Sequence, residues 1–295
     1  MSNSASEVPR TYSLSAFRLT QEELTDKFEA LITRGGVTVM KLDGKVAIIT
    51  GSSRGIGKQI ALTFAREGAK AAVVARTEKE GTSKLPGTIH QTVAEIRALG
   101  GTAIPIRTDL TIDSDIENMA KRVMDEWGRI DILVNNAAAN LNAMIIDLPV
   151  KYWDLMMKVN LRGNFLCAKA VLPTMIKQKS GNITCMTSIA AKRRAPPGEV
   201  CYSITKAGIE LFAWGLAQEV KQYNIAVNDL YPTGGVVTDG YKTVFAKRGI
   251  TEETLRNMKQ PEQIAEAALW LAQQTAETFT GHSVNDDEVK ALSKK

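Results

Sequence analysis

Six short runs of residues, apolar almost from end to end, recur along this 295-residue chain. They occupy residues 46–50, 71–75, 103–107, 130–135, 183–186 and 225–230. Longer stretches of helical periodicity separate them, at 58–67, 91–99, 114–127, 152–178 and 202–223. A strand with water on one face alternates apolar and polar residues, whereas a strand covered on both faces is apolar throughout. Runs of the second kind, joined by helices long enough to cross back over a sheet, predict strand–helix–strand units. The expected architecture is α/β: a doubly wound parallel sheet between two helical layers.

Composition sets the outer limits. Hydrophobic residues make up 44% and charged residues 23% of the chain, near the globular average, which excludes disordered, collagen-like and low-complexity classes. The length suits one α/β domain, residues 41–295, behind an extension, residues 1–40. Within the extension Thr20-Gln-Glu-Glu23 reads as a capping box, and Leu24, Phe28, Leu31 and Ile32 recur at helical spacing until Gly35-Gly36. That amphipathic helix packs either on its own subunit or over a neighbour. The net charge is +5 without a basic stripe, so nucleic acid is not expected as a partner. Cys167, Cys185 and Cys201 are too scattered for a disulfide framework, and His90 and His282 lack partners at zinc-ligand spacing, so no metal site is expected. No apolar run approaches the roughly 18 residues of a membrane span. The N-terminus carries Glu7, Glu22 and Glu23 rather than an apolar signal core. The expected location is the cytoplasm.

After the first run comes Thr50-Gly51-Ser52-Ser53-Arg54-Gly55-Ile56-Gly57, and a helical stretch follows. Glycines let a backbone turn sharply and come close to a pyrophosphate, and a helix N-terminus offers free N–H groups to an anion. The spacing is GxxxGxG, and no Gly-Lys-Ser/Thr closes it, which excludes a Walker A loop. Between a buried strand and a helix, this loop predicts a dinucleotide site. The second strand run ends at Ala75-Arg76-Thr77, where NAD-preferring folds place an acidic residue that would repel a 2′-phosphate. Arg76 and Arg54 could instead grip that phosphate with charge-assisted bonds, or stand as solvated surface arginines. The expected cofactor is NADP, with NAD as the alternative. A loop at 78–89 is unusually long for a strand–helix connection.

Tyr202 and Lys206 are four residues apart at the start of a long helix, so their side chains share a face. An ammonium near a phenol favours the phenolate and lowers its pKa. Ser188 sits just past the run 183–186. Residues at the carboxyl ends of parallel strands face the ligand crevice, and its hydroxyl could donate to a substrate carbonyl. Asn160 lies inside the stretch 152–178, a poor place for Asn on helical propensity alone.

Taken in order, residues 50–57, Asp109-Leu110, Asn135-Asn136-Ala137, Asn160, Ser188, Tyr202/Lys206 and the stretch 232–238 resemble the motifs of the short-chain dehydrogenase/reductase family. The resemblance runs from about Leu42 to Asn285. It implies a Rossmann-type fold and an NAD(P)-dependent oxidoreductase acting on alcohol or carbonyl groups, with an Asn–Ser–Tyr–Lys tetrad. By that resemblance Tyr202 exchanges the proton and Ser188 polarises the reacting oxygen. Lys206 lowers the tyrosine pKa and binds the nicotinamide ribose, and Asn160 supports a water that relays protons through Lys206. Asp109 would contact the adenine, with Leu110 beside it. Asn136, Ala137 and Ala138 would line the ribose, and Pro232, Thr233 and Thr238 the nicotinamide. Two departures stand out. Ala138 replaces the family's usual Gly, and Pro232-Thr233 replaces Pro-Gly, which leaves the register of Thr238 open by one residue. The loop 78–89 and the stretch 155–160 look like the hydroxysteroid-dehydrogenase-like branch and some bacterial terpenoid-alcohol dehydrogenases.

A non-catalytic NADP-binding sensor or scaffold on the same fold is the competing class. A protein that works through its N-terminal helix is another. The helical stretches 152–178 and 202–223 carry more apolar residues than one covered face needs, among them Met156, Leu161, Phe165, Val171, Leu172 and Met175 in the first. The second has Leu211, Phe212, Trp214 and Leu216. Such excess predicts a homo-dimer or homo-tetramer, unless the N-terminal helix covers the surface and leaves a monomer.

Overall fold

The computed structural model describes residues 40–246 and 251–294. The helix expected over residues 20–32 lies outside the described residues. Seven strands, β1 (Val46–Thr50), β2 (Lys70–Ala75), β3 (Ala103–Arg107), β4 (Ile132–Asn135), β5 (Gly181–Met186), β6 (Ile225–Tyr231) and β7 (Ser283–Asn285), form one sheet in the order β3-β2-β1-β4-β5-β6-β7. Every neighbouring pair is parallel. The chain steps outward from β1 to β3, then returns to β4 on the other side of β1. The carboxyl ends of β1 and β4 therefore flank the crevice where such sheets bind ligands.

The six apolar runs are strands because both faces need covering. Along β1, Ala47 and Ile49 enter one core layer with Ile60 and Phe64 of α1 (Gly55–Arg66), whereas Val46 and Ile48 enter the opposite layer. Helices α2 (Ile89–Ala98) and α9 (Pro261–Ala272) lie on the first side. Helices α3 (Asp113–Trp127), α5 (Gly163–Gln178) and α6 (Val200–Val220) lie on the second. Burying one such side chain contributes about 1.5–3 kcal/mol, so the pattern alone is a strong determinant. Pro105 sits in β3 opposite Val73. It is tolerated because β3 is an edge strand with a free side.

Two features depart from the expectation. The single helix expected at 152–178 is instead α4 (Val150–Met156), a wider π turn (Met157–Arg162) and then α5. Within this stretch the Asn164 side-chain amide donates to the Asn160 carbonyl at 2.5 Å. Such π insertions are frequent at functional sites, and this one holds Asn160. The second departure is β7, three residues with Val284 as the buried one, too short to leave a periodic signal. Short helices α7 (Asp239–Ala246), α8 (Glu252–Arg256) and α10 (Asp286–Leu292) complete the described chain.

Candidate active site

A cleft of about 450 Å³ opens along the carboxyl ends of β1–β4. The glycine loop forms its floor, and the reason it is glycine is local packing. Gly51 has φ +68°, and a Cβ there would lie 2.8 Å from the Ala137 Cα. A Cβ on Gly57 would lie 2.4 Å from the Asn136 side-chain nitrogen and 2.5 Å from the Gly51 carbonyl oxygen. Asn136 itself is a staple between strands. Its Nδ2 donates to the Thr50 carbonyl at 2.9 Å and to that of Gly51 at 3.3 Å. The backbone N–H groups of Asn136 and Ala137 both donate to the Thr50 Oγ1. The loop is thus drawn against the end of β4, and the first turn of α1 has no side-chain cap and no acidic residue. Uncapped N–H groups at that place suit an anion.

Arg54 is pinned rather than free. Its guanidinium donates to Ser83 Oγ at 2.8 Å, and to Thr77 Oγ1 and the Gly87 carbonyl, each at 2.9 Å. Burial lowers its pKa, with Asp239 acting against that and Arg76 adding to it. The long loop at 78–89 is thereby tied down onto the glycine loop, with Gly87 (φ +98°) against the Ser53 carbonyl. Ser83 and Leu85 from this loop join the cleft wall, as do Leu155 and Val159. None of the four was singled out from sequence. Arg76 projects from the end of β2, with a 65%-exposed side chain and Asp109 at 3.9 Å. Asp109 Oδ1 accepts from the backbone and hydroxyl of Thr111.

Of the residues expected to hold a dinucleotide, the glycine loop with Ser53, Arg54 and Ile56 lines this cleft. So do Arg76, Thr77, Asp109, Leu110, Asn136, Ala137, Ala138 and Thr238. Thr238 lies with its methyl 3.3 Å from where a Cβ on Gly55 would lie, and its hydroxyl accepts from the Tyr241 N–H at the start of α7. Pro232 and Thr233 are not part of the lining. Thr233 turns to α10 instead, bonding Asp286 through its N–H and Asp287 through its hydroxyl. The residues present fit a dinucleotide. The floor is backbone that no Cβ could share, and two buried polar atoms of the lining, Arg54 Nε and Thr108 Oγ1, have no partner among the described residues.

The tetrad residues come from three places. Ser188 follows β5 and its Oγ accepts from the Ala190 N–H at 3.2 Å. Tyr202 and Lys206 share the first turns of α6, with the Lys206 Nζ 5.6 Å from the Tyr202 ring centre. Lys206 is buried and donates to the Met186 carbonyl at 2.7 Å. Burial pushes its pKa down to about 8, with Cys185 and Asp229 pulling the other way. Burial pushes the Tyr202 phenol up, and a hydrogen bond with Ser188 opposes the rise. This differs from the lowered phenol that the Tyr–Lys spacing implied. Desolvation outweighs one hydrogen bond, and Lys206 is itself turned toward Met186. Asn160 is fully buried, its side chain accepting from the Ala139 N–H at 2.7 Å and donating to the Ala139 carbonyl and Thr205 Oγ1. Those contacts fix the segment after β4. They do not reach Lys206.

Residues 45–249 match the short chain dehydrogenase family. The chain is 35% identical over 247 residues to the 3-oxoacyl-(acyl-carrier-protein) reductase of Synechocystis sp., covering 83% of this chain and 96% of that protein. It is 36% identical over 253 residues to hydroxysteroid dehydrogenase-like protein 2 of Xenopus tropicalis, covering 84% of this chain. It spans 58% of that relative's length. Among solved structures it is similar to a 7α-hydroxysteroid dehydrogenase in complex with NADH and 7-oxo glycochenodeoxycholic acid. There the TM-score is 0.71 and the identity 31%, over 84% of this chain and 94% of that one.

Proposed function

This chain belongs to the short-chain dehydrogenases, NAD(P)-dependent oxidoreductases of alcohol and carbonyl groups, and from that premise we propose an NADP(H)-dependent enzyme that interconverts a secondary alcohol and a ketone. Residues 41–295 act as its single catalytic domain. The observation that carries the reading is the pairing of Tyr202 with Ser188, beside a buried Lys206, at the carboxyl end of β5. The bound nicotinamide supplies or takes the hydride. In reduction, the Tyr202 hydroxyl gives its proton to the substrate oxygen while the Ser188 hydroxyl donates to the same oxygen and holds it in place. A phenol with a raised pKa is protonated at neutral pH, the state that reduction requires. Lys206 keeps positive charge near that phenol and stabilises the phenolate left behind. Asn160 holds the segment that carries Ala138 and Ala139 along the cleft.

Support for NADP over NAD comes from Arg76, exposed where an acidic residue would otherwise stand. With Arg54 committed to Ser83, Thr77 and Gly87, Arg76 carries the larger part of any contact to a 2′-phosphate. An oligomer is part of the same reading. Phe165, Leu211 and Trp214 are exposed, and a groove lined by Phe165, Leu172, Pro173, Ile176, Leu211 and Phe212 runs between α5 and α6. A second copy of the chain is its proposed cover, and a solution mass near that of one 32.1 kDa chain would overturn it.

The enzymatic reading is tested by following NADPH consumption with a panel of ketones. Tyr202→Phe should lower turnover by about 10²–10⁴ while NADPH binding survives. A Phe variant that keeps more than about a tenth of the turnover, well outside that range, removes Tyr202 from the chemistry. Dinucleotide binding with no turnover on any carbonyl would favour the sensor.

A further inference from the structure

One buried charge has no part in the mechanism above. Asp229 lies in β6, in a run otherwise built for a core, and is 2% exposed. Alternation along the strand puts its side chain on the same face as Val227, beneath α6 and on the face of Cys185 in β5. Isolated carboxylates are strongly disfavoured in such places unless they are bonded or paired. Asp229 has specific partners. Its Oδ1 accepts from Thr187 Oγ1 at 2.5 Å and from Ser283 Oγ at 2.8 Å, so one oxygen joins the ends of β5, β6 and β7. Thr187 is the residue before Ser188, and its N–H is held at 2.9 Å by the Leu230 carbonyl. The residue that leads into the Ser188 turn is therefore tied to β6 by one backbone bond and one bond to Asp229.

Burial raises the Asp229 pKa, and the bonds from Thr187 and Ser283 oppose the rise. Groups that face this carboxyl are Cys185 from β5, Lys192 from the turn after β5, Lys206 and Glu210 from α6, and His282 ahead of β7. Lys192 is paired with Glu210. Cys185 is a neutral thiol, pushed up to about 12 by burial and by Asp229.

We propose that Asp229 is a positioning residue for the reaction, holding Ser188 in place through Thr187. The proposal rests on the assignment of Ser188, Tyr202 and Lys206 made above. Catalytic groups hold their geometry when the residues behind them are locked by bonds of this kind.

The test compares the full-length wild type with Asp229→Ala, Asp229→Asn, Thr187→Val and Tyr202→Phe. For each, kcat, KM, thermal midpoint, NADPH affinity and the pH profile of ketone reduction are measured. Asp229→Ala should lower kcat about ten- to a hundredfold, the scale of a small misplacement of a reacting group, with NADPH affinity unchanged. Thr187→Val should move kcat the same way by less. Asp229→Asn keeps the accepting oxygen and loses the charge. Its kcat should recover toward wild type, because Thr187 and Ser283 keep their acceptor, a rescue that a merely stabilising role would not produce. If Asp229→Ala does not fold, the Asn and Val variants decide. A wild-type kcat in Asp229→Ala with only a lower thermal midpoint, or an Asp229→Asn kcat no higher than that of Asp229→Ala, overturns the proposal. Those results leave the tetrad reading standing as long as Tyr202→Phe is inert. An active Tyr202→Phe overturns both.

Discussion

The two halves of the sheet bury different kinds of polar group. Ahead of Asp131, on the β1–β3 side, the polar side chains buried among the described residues are threonines and serines. From Asp131 onward, on the β4–β7 side, they include asparagines, aspartates and Lys206. Several first-half hydroxyls are satisfied close by in sequence, as Ser52 is by the Ile49 carbonyl and Thr92 by that of Thr88, with Thr50 reaching to Val134. The second half is stapled across long separations. Asn182 donates to the carbonyls of Leu271 and Gln274, Asn228 donates to that of Phe279, and Asn160 joins Ala139 to Thr205. A buried amide or charge is stable only with all its partners in place. In the proposed enzyme the first half is the floor for the nucleotide, and the second is a desolvated interior in which pKa values can be moved.

If this contrast is right, the largest effect belongs to the buried charge. Lys206→Met should lower turnover by about 10²–10⁴ without loss of stability, since it replaces a desolvated cation by an apolar chain of similar length. The wild type has a sharper signature. A lysine at about 8 in the fold against 10.5 ordinarily binds fewer protons folded than unfolded between those values. Stability should therefore rise with pH across that window, on the order of 3 kcal/mol, and denaturant titrations of wild type against Lys206→Met should show the difference. A parallel pair of curves would mean that the charge is not desolvated.

Next comes the amide network. Asn160→Ala leaves the Ala139 N–H and carbonyl and the Thr205 hydroxyl to find new partners, and should cost about 2–4 kcal/mol in urea unfolding. On the nucleotide side, Arg76→Asp should weaken NADP(H) roughly ten- to more than a hundredfold and leave NAD(H) similar or tighter. Calorimetric titration checks this, and a wild type that binds NAD(H) better than NADP(H) would reverse the cofactor reading. The smallest change is expected from a first-half hydroxyl. Thr88 caps α2 in a reciprocal pair with Gln91, and Thr88→Ala should cost about 1 kcal/mol. A loss as large as that of Asn160→Ala would erase the contrast between the halves.

How legible the molecule is from sequence follows the same division. The six apolar runs, the glycine turn, Tyr202 with Lys206, and Ser188 at a strand end are local patterns. A strand buried on both faces, a turn needing positive φ and a shared helical face each constrain residues near one another in the chain. Residues 46–50, 103–107 and 51–57 therefore sit in the structure where the pattern placed them. The fold class and strand positions were set by sequence alone for this reason.

The remainder was decided by contacts between distant segments. That Arg54 is spent on loop 78–89 depends on Ser83 and Gly87 returning to the glycine loop. The π turn that holds Asn160 is tied to Ala139 and Thr205, 21 and 45 residues away, the turning of Thr233 toward Asp286 spans 53 residues, and β7 is too short to carry a period. Asp229 was visible as a charge within an apolar run, a signal that could have marked it. Its partners Thr187 and Ser283 lie 42 and 54 residues away, and only the closed sheet brings them to one oxygen. Hydrophobic burial is non-directional and leaves a period along the chain, whereas a hydrogen bond to a buried polar atom needs a particular partner at a particular distance. The first can be read one residue after another, and the second exists only once the chain has folded.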